Sequence, residues 1–241
     1  MNNKGEALTQ NRIGFEKLNI ALGALYKEWY QLISQKLSNS EGMNLELGCG
    51  ASFIEKVIKN IKKSDVFLNT NTDLKIDAME VGLKFENKIS NLILVNVFHH
   101  ISNPELFLRS AEKSLVSGGR IIMIEPSNNI WSRLIYKLVG HEKFDTKQKT
   151  WEFESNDPLL DSNQALSWII FQRDHKKFKK LFPKFSLLKK KSIMPLSYLL
   201  SGGHSYNSKV GENFIKKIRK LERMFFDNKF GIFDLICIEK I

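Results

Sequence analysis

A glycine turn after a short apolar run constrains this chain more than any other feature. Residues 44–50 read Asn-Leu-Glu-Leu-Gly-Cys-Gly, so an acid, Glu46, lies two positions before the first glycine of a Gly-x-Gly pair. Glycine has no Cβ, so Gly48 and Gly50 permit a tight turn from a strand into a helix and a close approach of the backbone to a ligand. The pattern predicts a nucleotide-type site with Glu46 beside the ligand.

The residues around the turn favour a ligand without a pyrophosphate. Phe53 stands where dinucleotide-binding proteins carry a third glycine, which weakens the case for a helix packed closely over a pyrophosphate. A carboxylate near a helix N-terminus would repel phosphate, whereas Glu46 can pair with an ammonium or sulfonium cation. The alternative interpretation is a structural turn in which Glu46 forms a surface ion pair.

A strand–helix–strand pattern follows. Residues 92–98 are almost continuously apolar, as in a strand buried on both faces, and two histidines come next. Asn103-Pro104-Glu105 begins a helix that Ser117-Gly118-Gly119 ends, and residues 120–125 form another apolar strand. This order is typical of a βαβ unit with a right-handed crossover.

At this point residues 43–126 resemble the class I S-adenosylmethionine-dependent methyltransferases. The Leu-x-Phe turn and the two histidines are most similar to the small-molecule, type 11-like branch, which methylates quinones, sugars, lipids and other metabolites. Four segments match the family in order: residues 45–50, residues 83–85, residues 95–100 and residues 115–120.

The resemblance implies a cofactor site at the glycine turn. Gly48 and Gly50 would lie under the adenosine and methionine parts of S-adenosylmethionine, with Glu46 beside the methionine amino group. Cys49 belongs to the same turn and is interpreted as a small packing residue rather than a nucleophile. The product would be S-adenosylhomocysteine.

The acids implied for the ribose and adenine are less regular. The ribose acid normally follows the second strand, which we place at residues 66–68, and the nearest candidates are Asp73 and the uncharged Asn71. We favour Asp73. Asp77 best matches the acid that meets the adenine amino group, with Glu80 as the alternative, although each acid can instead be a solvated loop charge.

The family resemblance also implies the reaction, methyl transfer to a nucleophile in line with the departing sulfur. Positioning and desolvation supply ~7 kcal/mol or more of such a barrier, and a base is needed only when the acceptor must lose a proton. Asn96, His99 and His100 lie where ligands of open α/β sheets bind, beyond the end of a strand. Asn96 is a predicted cofactor contact, and His100 or His99 is the predicted base, with Glu125 as a further candidate. Alternatively, one histidine ring packs and the other caps the following helix.

Length and composition indicate a single domain. A chain of 241 residues with 42% hydrophobic content can bury a sizeable core. The only cysteines, Cys49 and Cys237, are too far apart to suggest a disulfide framework or a zinc site, and we predict no metal. With no apolar stretch of membrane-spanning length and no signal-peptide pattern, we expect a cytoplasmic protein.

We divide the domain into a helical cap (1–40), a cofactor-binding half (41–126) and an acceptor-side half (127–241). An amphipathic helix is predicted over residues 15–37. Residues 127–162 read as an acceptor-binding insertion whose aromatic residues contact a ring or lipid, or only anchor the loop. Those residues are Trp131, Tyr136, His141 and Trp151.

The remaining elements complete the predicted fold. Helices are predicted over residues 164–181 and 211–226, and strands over residues 185–193 and 231–241. Together with the resemblance to class I methyltransferases, these elements predict an α/β, Rossmann-like, doubly wound fold. Its seven-stranded, mostly parallel sheet would have one antiparallel edge strand and helices on both faces.

The net charge of +11 is concentrated in the second half of the chain. Residues 1–120 carry 15 Lys and Arg against 13 Asp and Glu, and residues 121–241 carry 22 against 13. The densest part can bind phosphate, an anionic sugar-lipid or a membrane surface, or it can be a set of solvated faces. Its lysines are Lys176, Lys177, Lys179, Lys180, Lys184, Lys189, Lys190 and Lys191.

These observations predict a methyltransferase acting on a small molecule or on a glycan or lipid precursor. The basic second half favours a nucleic-acid methyltransferase as one alternative, but Asn96 is followed by Val-Phe-His-His rather than by an Asn-Pro-Pro-Tyr type base-flipping motif. The missing ribose acid favours the other alternative, a non-catalytic binding module. The sequence leaves the oligomeric state open.

Overall fold

The structure is a computed structural model that describes residues 4–139, 142–204 and 208–241. His141, one of the aromatic residues of the predicted insertion, lies outside these ranges. The strands are β1 (Met43–Leu47), β2 (Ile61–Asp65), β3 (Leu74–Lys75), β4 (Ile89–Val95), β5 (Leu115–Pro126), β6 (Phe185–Ile193) and β7 (Phe233–Lys240).

Ten α-helices lie in the described ranges, and none of them is long and apolar enough to cross a lipid bilayer. A π-helix at Ile169–Arg173 joins α7 to α8. The α-helices are α1 (Lys4–Arg12), α2 (Phe15–Leu18), α3 (Ile20–Ser34), α4 (Val81–Lys84), α5 (Pro104–Ser114), α6 (Ile130–Val139), α7 (Leu166–Trp168), α8 (His175–Leu181), α9 (Ser197–Leu200) and α10 (Glu212–Phe225).

The seven strands form one sheet in the order β3-β2-β1-β4-β5-β7-β6. The strands from β3 to β5 are parallel, whereas β7 runs antiparallel to both β5 and β6. The predicted α/β fold class is confirmed, with the antiparallel strand one position in from the edge. Residues 233–238 of β7 are all buried, while β6 exposes lysines, a residue type common on edge strands.

Helices cover both faces of the sheet, as the doubly wound fold requires. Successive residues of β4 alternate between the two cores: Leu92 and Leu94 pack against Phe107 of α5 and Phe178 of α8, and Ile93 belongs to the opposite core with α3 and α10. Residues 92–94 of β4 are therefore all apolar, because both faces of the strand are buried. The subdivision of the chain at residues 40 and 126 stays a prediction.

The helix predicted over residues 15–37 is shorter and interrupted. Asn19 separates α2 from α3, because its side-chain oxygen accepts the N–H of Leu22 at 3.0 Å and caps the second helix. The Asn19 amide also donates to the carbonyl of Ser201 at 2.8 Å. Helix α3 then buries Trp29 and Ile33 completely against the sheet.

The prediction for the second strand was wrong. Strand β2 ends at Asp65, and the apolar residues 66–68 lie beyond it, with Leu68 exposed. The segment Ile-Lys-Lys-Ser-Asp lacks the apolar pattern of a buried strand. It forms one nevertheless, because the ammonium group of Lys63 bonds to Asn71 and Glu55. The turn after Gly50 likewise leads into a single 3-10 turn, Ile54–Lys56, rather than into an α-helix.

A buried cation joins α10 to α3. The guanidinium of Arg219 lies 2.8 Å from Glu28 of α3, 2.5 Å from Glu222 and 3.0 Å from Asp227. Arg219 is fully buried, and its three partners are largely buried too. The cluster therefore fixes the position of α3, whose other face covers the sheet.

We expect Arg219→Leu to lower the free energy of unfolding by about 3–5 kcal/mol, because three carboxylates would lose their shared cation. Arg223→Leu is the matched control: the Arg223 side chain is half exposed, 3.5 Å from Glu28, and its loss should cost less than about 1 kcal/mol. Urea unfolding of both variants measures the difference. Equal losses in the free energy of unfolding would show that the buried cluster stabilises the fold no more than the exposed ion pair of Arg223 does.

Candidate active site

Polar side chains collect where the parallel strands end. Glu46 of β1, Asp65 of β2, Asn96 after β4 and Glu125 of β5 lie at or near the carboxyl ends of four consecutive strands of the sheet, in the order β2-β1-β4-β5. This edge is where open α/β sheets bind their ligands.

The glycine turn is left-handed at both glycines, with φ of +64° at Gly48 and +47° at Gly50. A Cβ at Gly48 would lie 2.6 Å from the Val97 side chain, so only glycine lets the turn approach the segment after β4. A Cβ at Gly50 would meet only Thr9, at 3.8 Å. Gly50 therefore leaves free space above the turn.

Asp65 holds the turn from the neighbouring strand. Its Oδ2 accepts the N–H of Gly50 at 2.8 Å, and its Oδ1 accepts the N–H of Phe67 at 3.3 Å. Burial raises the pKa of this carboxyl. Asp65 was not among the predicted site residues, because the second strand was predicted too late in the chain. The signal that could have identified Asp65 is its position directly before the apolar residues 66–68.

The two predicted ribose candidates are engaged elsewhere. The Asn71 amide donates to the carbonyls of Gly50 and Ser52 at 3.0 and 2.7 Å and accepts from the Lys63 ammonium at 2.5 Å. Asp73 is exposed, and its Oδ2 accepts the N–H of Lys63 at 2.8 Å, two residues before the end of β2. Asn71 therefore braces the turn, and Asp73 extends the pairing of β2.

Glu46 is a buried carboxyl, with 2% of its surface exposed. Burial raises its pKa to about 8, and its Oε2 has no hydrogen-bond partner among the described residues. Such burial is incompatible with the surface ion pair considered above. A buried carboxyl oxygen without a hydrogen-bond partner costs free energy, and a cationic group of a ligand would supply that partner.

Cys49 and Asn96 are two further predicted cofactor contacts. The Cys49 thiol is buried 3.7 Å from the Thr72 hydroxyl, and burial raises its pKa to about 12, so it stays protonated and packs. Asn96 adopts a positive φ of 55°, donates its N–H to Ile124 at 2.8 Å and has a buried side-chain oxygen without a partner among the described residues. Asn96 thus presents a second unsatisfied polar atom.

Asp77 and Glu80 line one surface cavity. Asp77 is half-buried and caps a 3-10 turn by accepting the N–H of Met79 at 2.9 Å. The cavity is also lined by Val66, the residue directly after Asp65. The end of β2 and the predicted adenine acid therefore border the same opening.

Glu125 shapes the segment after β4. Its Oε1 accepts the N–H groups of Val97 and Phe98 at 2.9 and 2.8 Å, and its Oε2 lies 2.6 Å from His99 Nδ1. Both carboxylate oxygens are therefore occupied. Glu125 acts as an anchor for this segment and is not free to serve as the further candidate base.

The two histidines have opposite protonation states. Burial lowers the pKa of His99, but Glu125 and Glu142 outweigh that effect and raise it to about 10. Burial and the neighbouring charge of His99 lower the pKa of His100 to about 4. The Nδ1 of His100 lies 3.2 Å from the carbonyl of Asp161, which can only accept, so Nδ1 carries the proton and Nε2 the lone pair.

The aromatic residues of the insertion serve as anchors. Trp151 is buried and donates to Asp174 at 2.8 Å, and Trp131 donates to the carbonyl of Pro195 at 2.9 Å. The Tyr136 hydroxyl donates to the carbonyl of Ile232. These contacts support the anchoring interpretation of the insertion.

The basic stretch is split between α8 and β6. Lys184, Lys190 and Lys191 pair with acids at 3.3, 3.1 and 3.9 Å. The ammonium of Lys177 lies 4.3 Å from the ring centre of Trp151. Half of the eight lysines are thus engaged within the protein, and anion binding by the others stays a prediction.

Comparison with solved structures identifies the fold. A SAM-dependent methyltransferase from Thermotoga maritima is 15% identical with a TM-score of 0.60, covering 98% of this chain and 99% of that one. A SAM-dependent methyltransferase from Archaeoglobus fulgidus is also 15% identical, with a TM-score of 0.56 and coverage of 94% and 98%. No protein-family model and no curated protein sequence matches the chain. The chain has the class I methyltransferase fold.

We expect His99 to be protonated and His100 neutral at pH 7. Because the folded pKa of His99 lies above its ordinary value of 6.5, the stabilisation from its ion pair is complete below pH 6.5 and is lost as the pH rises through about 10. Nitrogen-15 spectra of the imidazoles across this range test both statements. Two rings titrating together near pH 6.5 would contradict the assignment.

Proposed function

We propose that the protein is an S-adenosylmethionine-dependent methyltransferase acting on a small molecule or on a glycan or lipid precursor. The observation that carries the proposal is the buried carboxyl of Glu46, whose Oε2 has no hydrogen-bond partner among the described residues, beside an open glycine turn on a class I methyltransferase fold. A turn kept only for structure would have no need of a carboxyl whose pKa is raised to about 8 by burial.

The residues present fit the cofactor. When bound, S-adenosylmethionine supplies a methyl group activated on a sulfonium. Glu46 would pair with the methionine ammonium, a charge-assisted contact that satisfies its free oxygen. Gly48, Cys49 and Gly50 would contribute backbone surface under the ligand, and Asn96 would offer its unpartnered oxygen to the same end of the ligand.

Asp65 replaces Asp73 in our assignment of the ribose acid. It ends β2, it is buried, and it already bonds the Gly50 N–H, so it lies at the turn itself. Asp77 remains the proposed partner of the adenine amino group, because it borders the cavity that begins beside Asp65. With Asp65 as the proposed ribose acid, the second strand no longer lacks an acid at its end, and this favours the enzyme over a non-catalytic module.

The histidines are better suited to holding a ligand than to removing its proton. His99 keeps its own proton, and a pKa of about 4 makes His100 a weak base. We therefore propose that His100, the favoured candidate base, helps to hold the acceptor and does not remove its proton. A phosphorylated glycan or lipid precursor would also find exposed lysines on α8, among them Lys176 and Lys180.

We expect Asp65→Asn to weaken binding of S-adenosylhomocysteine by at least about tenfold, since two ribose hydroxyls would lose a charged acceptor. Asp73→Asn, the matched control, should stay within a few fold. Calorimetric titration of both variants gives the affinities, and circular dichroism checks their folding. A larger loss for Asp73→Asn would restore the original ribose assignment.

Proton release offers a second test. Burial raises the pKa of Glu46 to about 8, so this carboxyl is mostly protonated at pH 7 in the free protein. Pairing with an ammonium lowers that pKa, and binding of S-adenosylhomocysteine at pH 7 should release about one proton. Calorimetry in buffers of different ionisation enthalpy measures the release. Glu46→Gln should abolish it and weaken binding.

The acceptor class is tested by incubating the protein with labelled S-adenosylmethionine and separated cell extracts. Label in the metabolite or lipid fraction supports the proposal. Label found only in nucleic acid would favour the rival methyltransferase class, and absence of transfer together with tight cofactor binding would favour the binding module.

A further inference from the structure

Two histidines and a glutamate converge next to the proposed acceptor side. His99, His100 and Glu142 each offer a ligand atom, and these atoms all lie within 4.8 Å of one another. The Glu142 Oε2 lies 3.3 Å from His99 Nε2 and 3.9 Å from His100 Nε2. The histidines follow β4, whereas Glu142 comes from the insertion after α6.

The Nδ1 atoms of both rings make the contacts that metal-binding histidines make through the nitrogen that does not bind the metal. His99 Nδ1 bonds the buried Glu125 carboxylate at 2.6 Å, and His100 Nδ1 donates to the carbonyl of Asp161 at 3.2 Å. Metal-ligating histidines almost always donate their second N–H to a carboxylate or a backbone carbonyl, which fixes the ring. Each Nε2 is thereby directed toward Glu142. These Nδ1 contacts are independent of the close approach of the Nε2 atoms to Glu142.

We propose that His99, His100 and Glu142 bind a divalent transition-metal ion, for which zinc is the best-suited ion. Two imidazoles and one carboxylate suit Zn²⁺, whereas Mg²⁺ and Ca²⁺ prefer oxygen ligands alone. Three protein ligands leave a coordination position open for water or for an oxygen atom of a ligand.

The geometry requires only a small closure. Zinc ligands lie about 2.0–2.1 Å from the metal, so a tetrahedral set has ligand atoms about 3.3 Å apart. The pair formed by His99 and Glu142 already has that spacing, at 3.3 Å. Glu142 is the more accessible partner, with 37% of its side chain exposed, and its Oε2 also accepts the Ser162 hydroxyl at 3.0 Å, while His99 is buried. The spacing of the cysteines, on which we predicted no metal, carried no information about this cluster.

Direct binding tests the proposal without reference to methyl transfer. Zn²⁺ is titrated into tag-free, chelator-treated full-length protein by calorimetry, and Co²⁺ is followed by its visible absorption. We expect one equivalent of Zn²⁺ and a visible Co²⁺ spectrum that excess Zn²⁺ removes, with no heat from Mg²⁺ at the same concentrations. Absence of Zn²⁺ binding would overturn the proposal and leave the cluster as a buried ion pair.

Variants locate the ion. Glu142→Gln and His100→Asn should each lower Zn²⁺ affinity at least about tenfold, the scale seen when metal-site residues are changed. His175→Asn is the control, because His175 is a partly buried histidine on α8 outside the cluster, and its loss should leave the affinity unchanged. Equal effects of all three variants, or none in the first two, would contradict the site. Cofactor affinity measured on the same variants keeps this outcome separate from that of the proposed function.

Discussion

The carboxylate of Glu125 is the contact on which the rest of this edge of the sheet depends. It accepts backbone N–H groups from Val97, Phe98 and His99 and bonds the His99 ring, all in a fully buried position. Each such donor left unsatisfied would cost about 1–3 kcal/mol. The segment after β4 therefore has one conformation, which sets Val97 against Gly48 and directs the two histidines toward Glu142.

Two buried carboxyls in this sheet differ in whether their oxygens have hydrogen-bond partners, and the difference indicates which of them serves the fold and which is available to a ligand. Glu125 on β5 has both oxygens occupied by donors, so it serves the fold. Glu46 on β1, separated from β5 only by β4, keeps one oxygen without a partner among the described residues, and burial raises its pKa to about 8. A fold does not gain from an unsatisfied buried acid. We propose that this oxygen of Glu46 accepts a cationic group of a ligand.

Sequence patterns predicted the elements that are apolar or well capped. The strand predicted over residues 185–193 matches β6, and the helix predicted after Asn103 begins where α5 begins, because the Asn103 cap is a local signal. Helix α5 ends at Ser114, and the predicted stop at Ser117-Gly118-Gly119 lies inside β5. Strand β2 was misplaced because the ammonium of its buried lysine, Lys63, is paired with Asn71 and Glu55, partners that local patterns do not show. The prediction of the ribose acid was misplaced along with that strand, at Asp73. Asp65 became visible only once the end of β2 was known.

The amino-acid sequence by itself determined the fold class, the glycine turn and the position of Glu46 before it, since these follow from apolar periodicity and from glycine's freedom at positive φ. Only the tertiary structure decided what the polar residues do. His99 and His100 are neighbours in the chain, yet one is charged and the other neutral, because Glu125, Glu142 and Asp161 approach them from distant segments. A charge state depends on burial and on partners across space, and neither is written in local spacing.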